Sequence, residues 1–260
     1  MQDSPLRIVY GGDRDISVRV LEFLRGESVR PLVLMVAGEK RASHSHELRT
    51  MCSHLPDTMI LRGTAFRSDA GRKLLRQLEP DYIICVHFPY LIPKEVLKIP
   101  RYGVLNLHPA CLPYNRGWHT ATWAIMDKTP YGATLHFMSE ELDAGDIICR
   151  REIRIQPGDT ADSLYRRVKR LELEVFKEAW PSLVSGSYHR QPQTSQEGTD
   201  HKKEDIKSIQ PVDLNMKVVT GDFIRRLRAL TTNDVKEAAF FEYDGKKYYL
   251  QIKITEDTDG

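Results

Sequence analysis

The first hundred residues alternate between two kinds of apolar pattern. Short continuous apolar runs, which are typical of buried strands, cover residues 6–10, 31–37, 58–61 and 81–87. Apolar residues at helical spacing between these runs predict helices over residues 15–25, 44–54 and 69–78. The first helix has one apolar face, formed by Ile16, Val20, Leu21 and Leu24. This alternation predicts an α/β fold with a doubly wound, mostly parallel sheet.

The rest of the chain continues with a strand, further helices and a hairpin. The strand covers residues 131–138, and the helices cover residues 93–97, 120–126, 159–183 and 220–230. Two more strands, over residues 238–243 and 246–254, surround Asp244-Gly245, a dipeptide typical of a two-residue hairpin turn.

These elements predict three segments. Residues 1–184 form an N-terminal catalytic domain, residues 185–209 an extended connection, and residues 210–260 a small C-terminal subdomain with a helix and a β-hairpin. The hairpin region carries many aromatic side chains: Phe240, Phe241, Tyr243, Tyr248 and Tyr249. Because an isolated hairpin is marginal in water, we expect it to pack on the first domain or on a second subunit. A homodimer through this tail is the resulting hypothesis.

Composition and charge exclude several classes of protein. Apolar residues make up 41% of the chain and charged residues 28%, which is ordinary for a soluble globular enzyme. The start, MQDSPLRIVY, lacks a signal-peptide pattern, and no stretch approaches the roughly 20 apolar residues that span a bilayer. We therefore expect a cytoplasmic protein with no membrane partner. The net charge of +2 gives no global electrostatic case for DNA, and four scattered cysteines without a C-x-x-C pair predict no metal site.

Asn106, His108 and Asp146 form the predicted catalytic set. Asn106 and His108 lie two apart in an apolar run that ends at Pro109, so a strand would direct both side chains to one face at its carboxyl end. Asp146 follows the strand over residues 131–138 and a turn. Transfer of a formyl group to an amine needs a donor for the developing oxyanion and a base for the amine proton. Either strand residue alone is more often structural, and Asp143 is the rival acid, able to shape the turn.

Three motifs carry a family resemblance: the strand LNLHP, the loop LPYNRG and the run LDAGDI. Together they resemble the folate-dependent formyltransferases over most of residues 1–205. The resemblance implies that Asn106, His108 and Asp146 are catalytic and that N10-formyltetrahydrofolate is the formyl donor. One departure is Ala110-Cys111-Leu112, which stands where the family usually has a serine after His-Pro.

The resemblance also implies a pterin site. The loop after His87 brings together four apolar or aromatic residues: Phe88, Tyr90, Leu91 and Ile92. In the family, the corresponding loop holds the pteridine together with the backbone before the catalytic acid, here Leu142 and Asp143. The alternative is that Leu91 and Ile92 only pack against the next helix.

Two further segments are candidates for binding the acceptor substrate. One is the polar and aromatic run Asn115, Arg116, Gly117, Trp118 and His119. In it, Arg116 can bind phosphate and Trp118 can stack on a base or sugar, although Arg116 can equally pair with a carboxylate of the protein. The other is Gly11-Gly12, which either admits a phosphate or sugar or forms a plain tight turn, and which lacks the full dinucleotide pattern.

The resemblance finally implies an acceptor. The YNRG form of the loop is similar to that of the amino-sugar formyltransferases, and a tail of about fifty residues is short for the RNA-binding domain of methionyl-tRNA formyltransferases. The expected acceptor is therefore a nucleotide-linked amino sugar, such as a dTDP-, GDP- or UDP-4-amino-4-deoxy sugar for a surface polysaccharide such as the lipopolysaccharide O-antigen. The alternatives are a methionyl-tRNA formyltransferase, with tRNA as its partner, a formyltetrahydrofolate hydrolase, and a non-catalytic nucleotide- or folate-binding module.

Overall fold

The computed structural model describes residues 6–194 and 198–257. The strands are β1 (Ile8–Gly12), β2 (Val33–Val36), β3 (Ile60–Arg62), β4 (Tyr82–Val86), β5 (Gly103–His108), β6 (Arg116–Gly117), β7 (Tyr131–Phe137), β8 (Ile147–Ile153), β9 (Asp200–His201), β10 (Ala239–Tyr243) and β11 (Lys246–Leu250). The α-helices are α1 (Arg14–Gly26), α2 (Ser45–Met51), α3 (Asp69–Gln77), α4 (Lys94–Leu97), α5 (Thr120–Asp127), α6 (Ala161–Ser185), α7 (Ile206–Ile209) and α8 (Thr220–Leu230). Residues 1–5, 195–197 and 258–260, which belong to the three predicted segments, lie outside the described residues.

A seven-stranded sheet has the order β3-β2-β1-β4-β5-β7-β8. Strands β3, β2, β1, β4 and β5 pair in parallel, and β7 then pairs antiparallel with β5. Every residue of β1, β2 and β4 is buried, which explains why these strands read as unbroken apolar runs. The predicted fold class is confirmed.

Contacts divide the chain into two compact units that alternate along the sequence. Residues up to 108, residues 134–150 and residues 172–193 form the first unit, and residues 109–133, 151–171 and those from 194 onward form the second. The predicted boundaries at 184 and 209 do not coincide with these divisions and stay a prediction.

The core of the first unit lies against the sheet. Its buried apolar side chains include Val9, Met35, Ile83 and Val104, each at most 1% exposed. The predicted apolar face of α1 is confirmed, because all four of its residues are buried: Ile16, Val20, Leu21 and Leu24. Sheet and helix therefore meet as the periodicity predicts.

Gly11 and Gly12 are strand residues, which corrects the predicted turn. They are the last two residues of β1, and both are buried and paired with β2 and β4. A Cβ atom on Gly11 would lie 2.8 Å from the Met35 side chain, and one on Gly12 would lie 2.7 Å from Ser17. Close packing inside the first unit therefore explains the glycines, and the predicted ligand contact at this position stays a prediction.

The second unit has its own small core around the tail. Ile206, Leu230 and Ala239 are buried together, so α7, α8 and β10 pack on one another. Helix α8 has the predicted bounds and also contacts α5. The hairpin of β10 and β11 is as predicted: Asp244 and Gly245 have φ values of 50° and 68°, the left-handed backbone that this turn needs.

Four of the described strands and α-helices were not predicted from the sequence: β6, β8, β9 and α7. Strand β8 contains the charged run Arg150-Arg151-Glu152 on an edge of the sheet, where exposed charge hides the strand pattern. Helix α7 is only four residues long. In the described part of the chain no helix is both long and apolar enough to cross a membrane.

Candidate active site

Asn106 and His108 lie at the carboxyl end of β5, as the strand pattern predicts. Asn106 is half-buried and His108 is 6% exposed. The register of the sheet places Cys85 of β4 on one side of Asn106 and His136 of β7 on the other. The two polar side chains are thus held by buried strands on both flanks.

Asp143 is the acid that meets this pair. It lies in the turn after β7 and has a φ of 50°, a left-handed conformation that is uncommon for a residue with a side chain. Its Oδ1 accepts a hydrogen bond from the Asn106 amide at 3.3 Å, and its Oδ2 lies 3.7 Å from Nδ1 of His108. The carboxylate is 9% exposed, so these contacts are largely shielded from water.

Asp146, the predicted acid, does not join this group, and its catalytic role stays a prediction. It immediately precedes β8, and its carbonyl oxygen accepts the Phe137 N–H at 2.9 Å. Among the described residues its carboxylate takes part in no hydrogen bond or ion pair. Of the two acids in this turn, Asp143 is therefore the one that contacts Asn106 and His108.

His136 completes the group and was missed from the sequence. It is fully buried, and its Nδ1 donates to the Phe137 carbonyl at 2.8 Å. Nε2 of the neutral ring is then an acceptor, and it receives the Asn106 amide at 3.2 Å. The only sequence signal was its place on an apolar strand, because its contact with Asn106 depends on the pairing of β5 with β7.

These contacts fix the chemistry that the group offers. The amide nitrogen of Asn106 faces two acceptors, His136 and Asp143, so the opposite orientation would place an amide oxygen against a carboxylate. Because Asp143 faces Nδ1 of His108, Nε2 is the ring nitrogen directed away from the acid. An imidazole held in this way can donate or accept a proton through Nε2 while the carboxylate stabilises its charged form.

The residues predicted to hold the pterin ring differ in their exposure. Phe88 and Tyr90 are half-buried and form an aromatic cluster with Phe66, with ring centroids 5.5 and 6.4 Å from that ring. The Tyr90 hydroxyl accepts the Gly38 N–H at 3.0 Å. Leu91 is 68% exposed and available for contact.

Ile92 and Leu142 complete the predicted pterin set. Ile92 is 8% exposed and packs in the core with Val96, as the packing alternative expects, and its contact with a pterin stays a prediction. Leu142 is 48% exposed and directly precedes Asp143. An exposed leucine next to the acid is a suitable wall for a flat apolar ring.

Asn115 and Gly117, predicted to bind the acceptor, are structural in the second unit. Asn115 is fully buried, and its amide donates to the Thr129 hydroxyl at 2.9 Å and lies 3.4 Å from the Pro130 carbonyl. Gly117 lies in β6, which pairs with β9. The Asn115 amide and the Gly117 backbone thus make contacts within the protein, and their binding of an acceptor stays a prediction.

Arg116, Trp118 and His119 have different surroundings in the same unit. Arg116 lies in β6 and is half-buried. Trp118 is 45% exposed, and the Lys203 ammonium lies 5.3 Å from its ring. His119 immediately precedes α5, and its Nδ1 lies 3.7 Å from a Glu237 carboxylate oxygen. Among the five predicted acceptor residues of this run, Trp118 has the largest exposed fraction.

Within residues 6–194 and 198–257 no group of three or more His, Cys, Asp or Glu side chains is arranged to hold a metal ion.

Comparison with protein families places the chain. A family model described as formyl transferase matches residues 33–180, which is more than half of the chain. The chain belongs to the formyl transferase family. The family and the enzyme class expected from the three motifs are thereby confirmed. A second model, described as an N-formyltransferase dimerization C-terminal domain, matches residues 205–256 of this formyltransferase.

The names of individual relatives of this formyltransferase state different acceptors. The dTDP-4-amino-4,6-dideoxyglucose formyltransferase of Mycobacterium bovis is 32% identical over 190 residues, which cover 72% of this chain and 80% of that protein. The methionyl-tRNA formyltransferase of Macrococcus caseolyticus is 30% identical over 198 residues, which cover 74% of this chain and 64% of that protein.

A solved structure extends the similarity to the whole fold. The X-ray structure of a sugar N-formyltransferase from Shewanella superimposes with a TM-score of 0.83 over 97% of this chain and 99% of that chain. Sequence identity is 22%, so this likeness concerns the fold alone.

Proposed function

We propose that this formyltransferase moves the formyl group of N10-formyltetrahydrofolate to the amine of a nucleotide-linked amino sugar. The observation that carries the proposal is the group at the end of β5, in which the Asp143 carboxylate lies 3.3 Å from the Asn106 amide and 3.7 Å from Nδ1 of His108. A donor, an imidazole and an acid are the groups that acyl transfer to an amine requires.

In this proposal each of the three residues has a role. His108 donates through Nε2 to the formyl oxygen as negative charge develops there, and the Asp143 carboxylate stabilises the charged imidazole through Nδ1. Asn106 donates to Asp143 and fixes its carboxylate beside His108. The proton that leaves the attacking amine ends on the nitrogen that loses the formyl group, so the transfer is balanced. Asp143 takes the role that the sequence motif assigned to Asp146.

The formyl donor is part of the same proposal. Its support is the family resemblance together with the exposed side chains of Leu91 and Leu142 and the half-buried rings of Phe88 and Tyr90. Such a surface would bind a flat pterin by burying its faces. N10-formyltetrahydrofolate would supply the formyl group and be released as tetrahydrofolate.

The acceptor is proposed to be a dTDP-linked 4-amino sugar. The alignment with the Mycobacterium bovis relative covers most of both chains, and the name of that relative states this specificity. Trp118 is the proposed contact to the base, because an exposed indole next to a lysine suits stacking near phosphate charge. Arg116 is the proposed phosphate ligand.

A homodimer is proposed through the C-terminal segment. The matching family model is described as a dimerization domain, and Tyr243, Tyr248 and Tyr249 on the hairpin are 65%, 43% and 40% exposed. Exposed aromatic side chains on one hairpin favour a partner surface. Light scattering at micromolar concentration tests this, and a monomer would contradict it.

A cytoplasmic location and a role in surface polysaccharide synthesis, such as that of an O-antigen, complete the proposal. Loss of the gene should then remove a formamido sugar from the surface polysaccharide while the parent amino sugar remains. An unchanged polysaccharide would contradict this part.

The reaction is tested by tetrahydrofolate release from N10-formyltetrahydrofolate. The acceptors are nucleotide-linked amino sugars, beginning with dTDP-4-amino-4,6-dideoxyglucose, and the controls are Asn106→Ala and a blank without acceptor. Turnover with a sugar that is lost in Asn106→Ala supports the proposal. Turnover in the blank would identify a hydrolase.

Methionyl-tRNA is the second candidate acceptor. The observation that favours it is the 30% identity to the enzyme from Macrococcus caseolyticus. Against it stands the match of residues 205–256 to a dimerization domain. Formylation of charged initiator tRNA without turnover on any sugar would replace the first proposal by this one.

A further inference from the structure

The turn that carries Asp143 is held by a side chain from a distant part of the sequence. Gln193 follows α6 and lies beyond residue 180, where the match to the formyl transferase family model ends. Its Nε2 donates to the carbonyl oxygen of Asp143 at 2.9 Å and to that of Gly145 at 2.7 Å. One amide group therefore bridges both sides of the turn.

The segment that carries Gln193 is itself fixed to the sheet. The Gln191 N–H donates to the Ile147 carbonyl at 2.9 Å, and the Ile147 N–H donates to the Gln191 carbonyl at 2.8 Å. This antiparallel bridge joins the segment to the first residue of β8. Gln193 consequently meets the turn in one defined register.

The turn needs support because its shape is demanding. Asp143 has a φ of 50°. A Cβ atom on Gly145 would lie 1.9 Å from the Phe137 carbonyl oxygen, so the turn already presses against the end of β7. A non-glycine residue keeps a left-handed backbone only where its surroundings impose it. The contacts of Gln193 are made to the backbone of Asp143 itself.

We propose that Gln193 is a positioning residue for the acid of the transfer reaction. Its two hydrogen bonds hold the Asp143 backbone, and the Asp143 carboxylate in turn holds Asn106 and His108. The inference rests on the proposed function, because it gives Gln193 an effect on catalysis through Asp143. A displacement of about 1 Å in such a group costs on the order of a hundredfold in rate.

The test compares Gln193→Met with Gln191→Met in the full chain. Methionine keeps the length of the side chain and removes the N–H donors. Gln191 is exposed and is joined to Ile147 through its backbone, so it is a matched control from the same segment. We expect kcat of Gln193→Met to fall by about ten- to a hundredfold with KM for donor and acceptor within about twofold. Gln191→Met should match the parent enzyme.

A second variant and a double variant separate positioning from a general loss of structure. Gln193→Glu keeps the shape but presents carboxylate oxygens to two carbonyls, so it should be at least as slow as Gln193→Met. In an Asp143→Asn background, measured in single turnovers, Gln193→Met should change the rate by no more than about twofold, since residues that act as a unit are not additive.

The outcomes are distinct. An unchanged kcat in Gln193→Met, or the same fold-loss with and without Asp143→Asn, would overturn the positioning role. If the parent enzyme formylates none of the amines tested, the proposed function fails first, and that result is obtained before any variant is made. Thermal unfolding of each variant, recorded alongside, should show folded protein at the assay temperature.

Discussion

The amide nitrogen of Asn106 lies 3.2 Å from Nε2 of His136, across the antiparallel pair of β5 and β7. Nδ1 of His136 donates to the Phe137 carbonyl, so the tautomer of the ring is fixed by the backbone of its own strand. His136 thereby determines which end of the Asn106 amide faces Asp143. A fully buried histidine behind the active group is thus part of how that group is oriented.

Replacement of His136 by phenylalanine should therefore affect both stability and rate. His136→Phe keeps an aromatic ring but leaves an N–H of Asn106 without its acceptor, which costs about 1 to 3 kcal/mol of the free energy of unfolding. We expect kcat to fall as the amide loses its orientation. Urea unfolding and steady-state kinetics measure the two effects.

His136→Gln is the control for this change, because its amide oxygen can accept from Asn106. It should recover part of the stability and part of kcat. Equal kcat values for His136→Phe and the parent enzyme would show that the orientation of Asn106 does not depend on His136.

Asp143 and Asp146 can be separated by a matched pair of variants. Asp143→Asn removes the charge that faces His108, and we expect kcat/KM to fall by at least about a hundredfold. Asp146→Asn changes a carboxylate outside the group and should stay within about threefold of the parent. Steady-state formyl transfer measures both. If kcat/KM fell more in Asp146→Asn than in Asp143→Asn, Asp146 would be the acid.

Local patterns predicted most of the sheet and the end of the chain. Strand runs and helical spacing depend on neighbouring residues only, so they gave α1 with its apolar face, β4 within one residue at each end, and α8 with both bounds. Asn106 and His108 were found for the same reason, because a strand's period of two puts both on one face.

The remaining features depend on contacts between distant residues. The contact of His136 with Asn106 follows from the pairing of β5 with β7, and the support from Gln193 follows from a bridge to β8. The choice between Asp143 and Asp146 depends on a left-handed backbone within one turn. Neither strand register nor a turn's handedness can be read from the spacing of apolar residues.

A buried contact between His87 and Glu172 predicts a strong effect on stability. Nε2 of His87 lies 2.7 Å from Oε1 of Glu172, and their side chains are 8% and 0% exposed. Glu172→Leu leaves His87 without this partner, so we expect a loss of about 3 to 5 kcal/mol in the free energy of unfolding. The double variant with His87→Leu should recover part of that loss. Urea unfolding at one protein concentration measures all three.

The exposed pair of Arg49 and Asp57 provides the control. Its atoms are 3.3 Å apart, and the two side chains are 42% and 74% exposed. Asp57→Asn should cost no more than about 1 kcal/mol, because exposed pairs are screened by water. If Glu172→Leu costs as little, the buried pair contributes nothing special to stability.

Cys85 predicts a stability change at alkaline pH. Burial raises the pKa of its thiol from 9.0 to about 12. The unfolded chain loses this proton near pH 9 while the folded chain keeps it, so the stabilisation is complete below pH 9 and is lost as pH rises toward 12. Above pH 9 the parent should lose up to about 1.4 kcal/mol more per pH unit than Cys85→Ala. Urea unfolding from pH 8 to 10.5 measures the slopes, and parallel slopes would contradict the prediction.

Arg228 should matter more to the second unit than its neighbour on the same helix, Arg225. Nε of Arg228 donates to the Asp159 carbonyl and Nη2 to the Gln156 carbonyl, each at 2.7 Å, which ties α8 to the turn before α6. Arg225 pairs with Asp222 one turn away, where the acid is 57% exposed. We expect Arg228→Ala to cost about 1.5 to 3 kcal/mol of the free energy of unfolding and Arg225→Ala no more than about 1 kcal/mol.

Urea unfolding at fixed protein concentration measures both losses, and light scattering checks that the oligomeric state is the same in each variant. Equal losses would mean that α8 is held by its apolar contacts with α5 and β10 and not by this pair of charged hydrogen bonds.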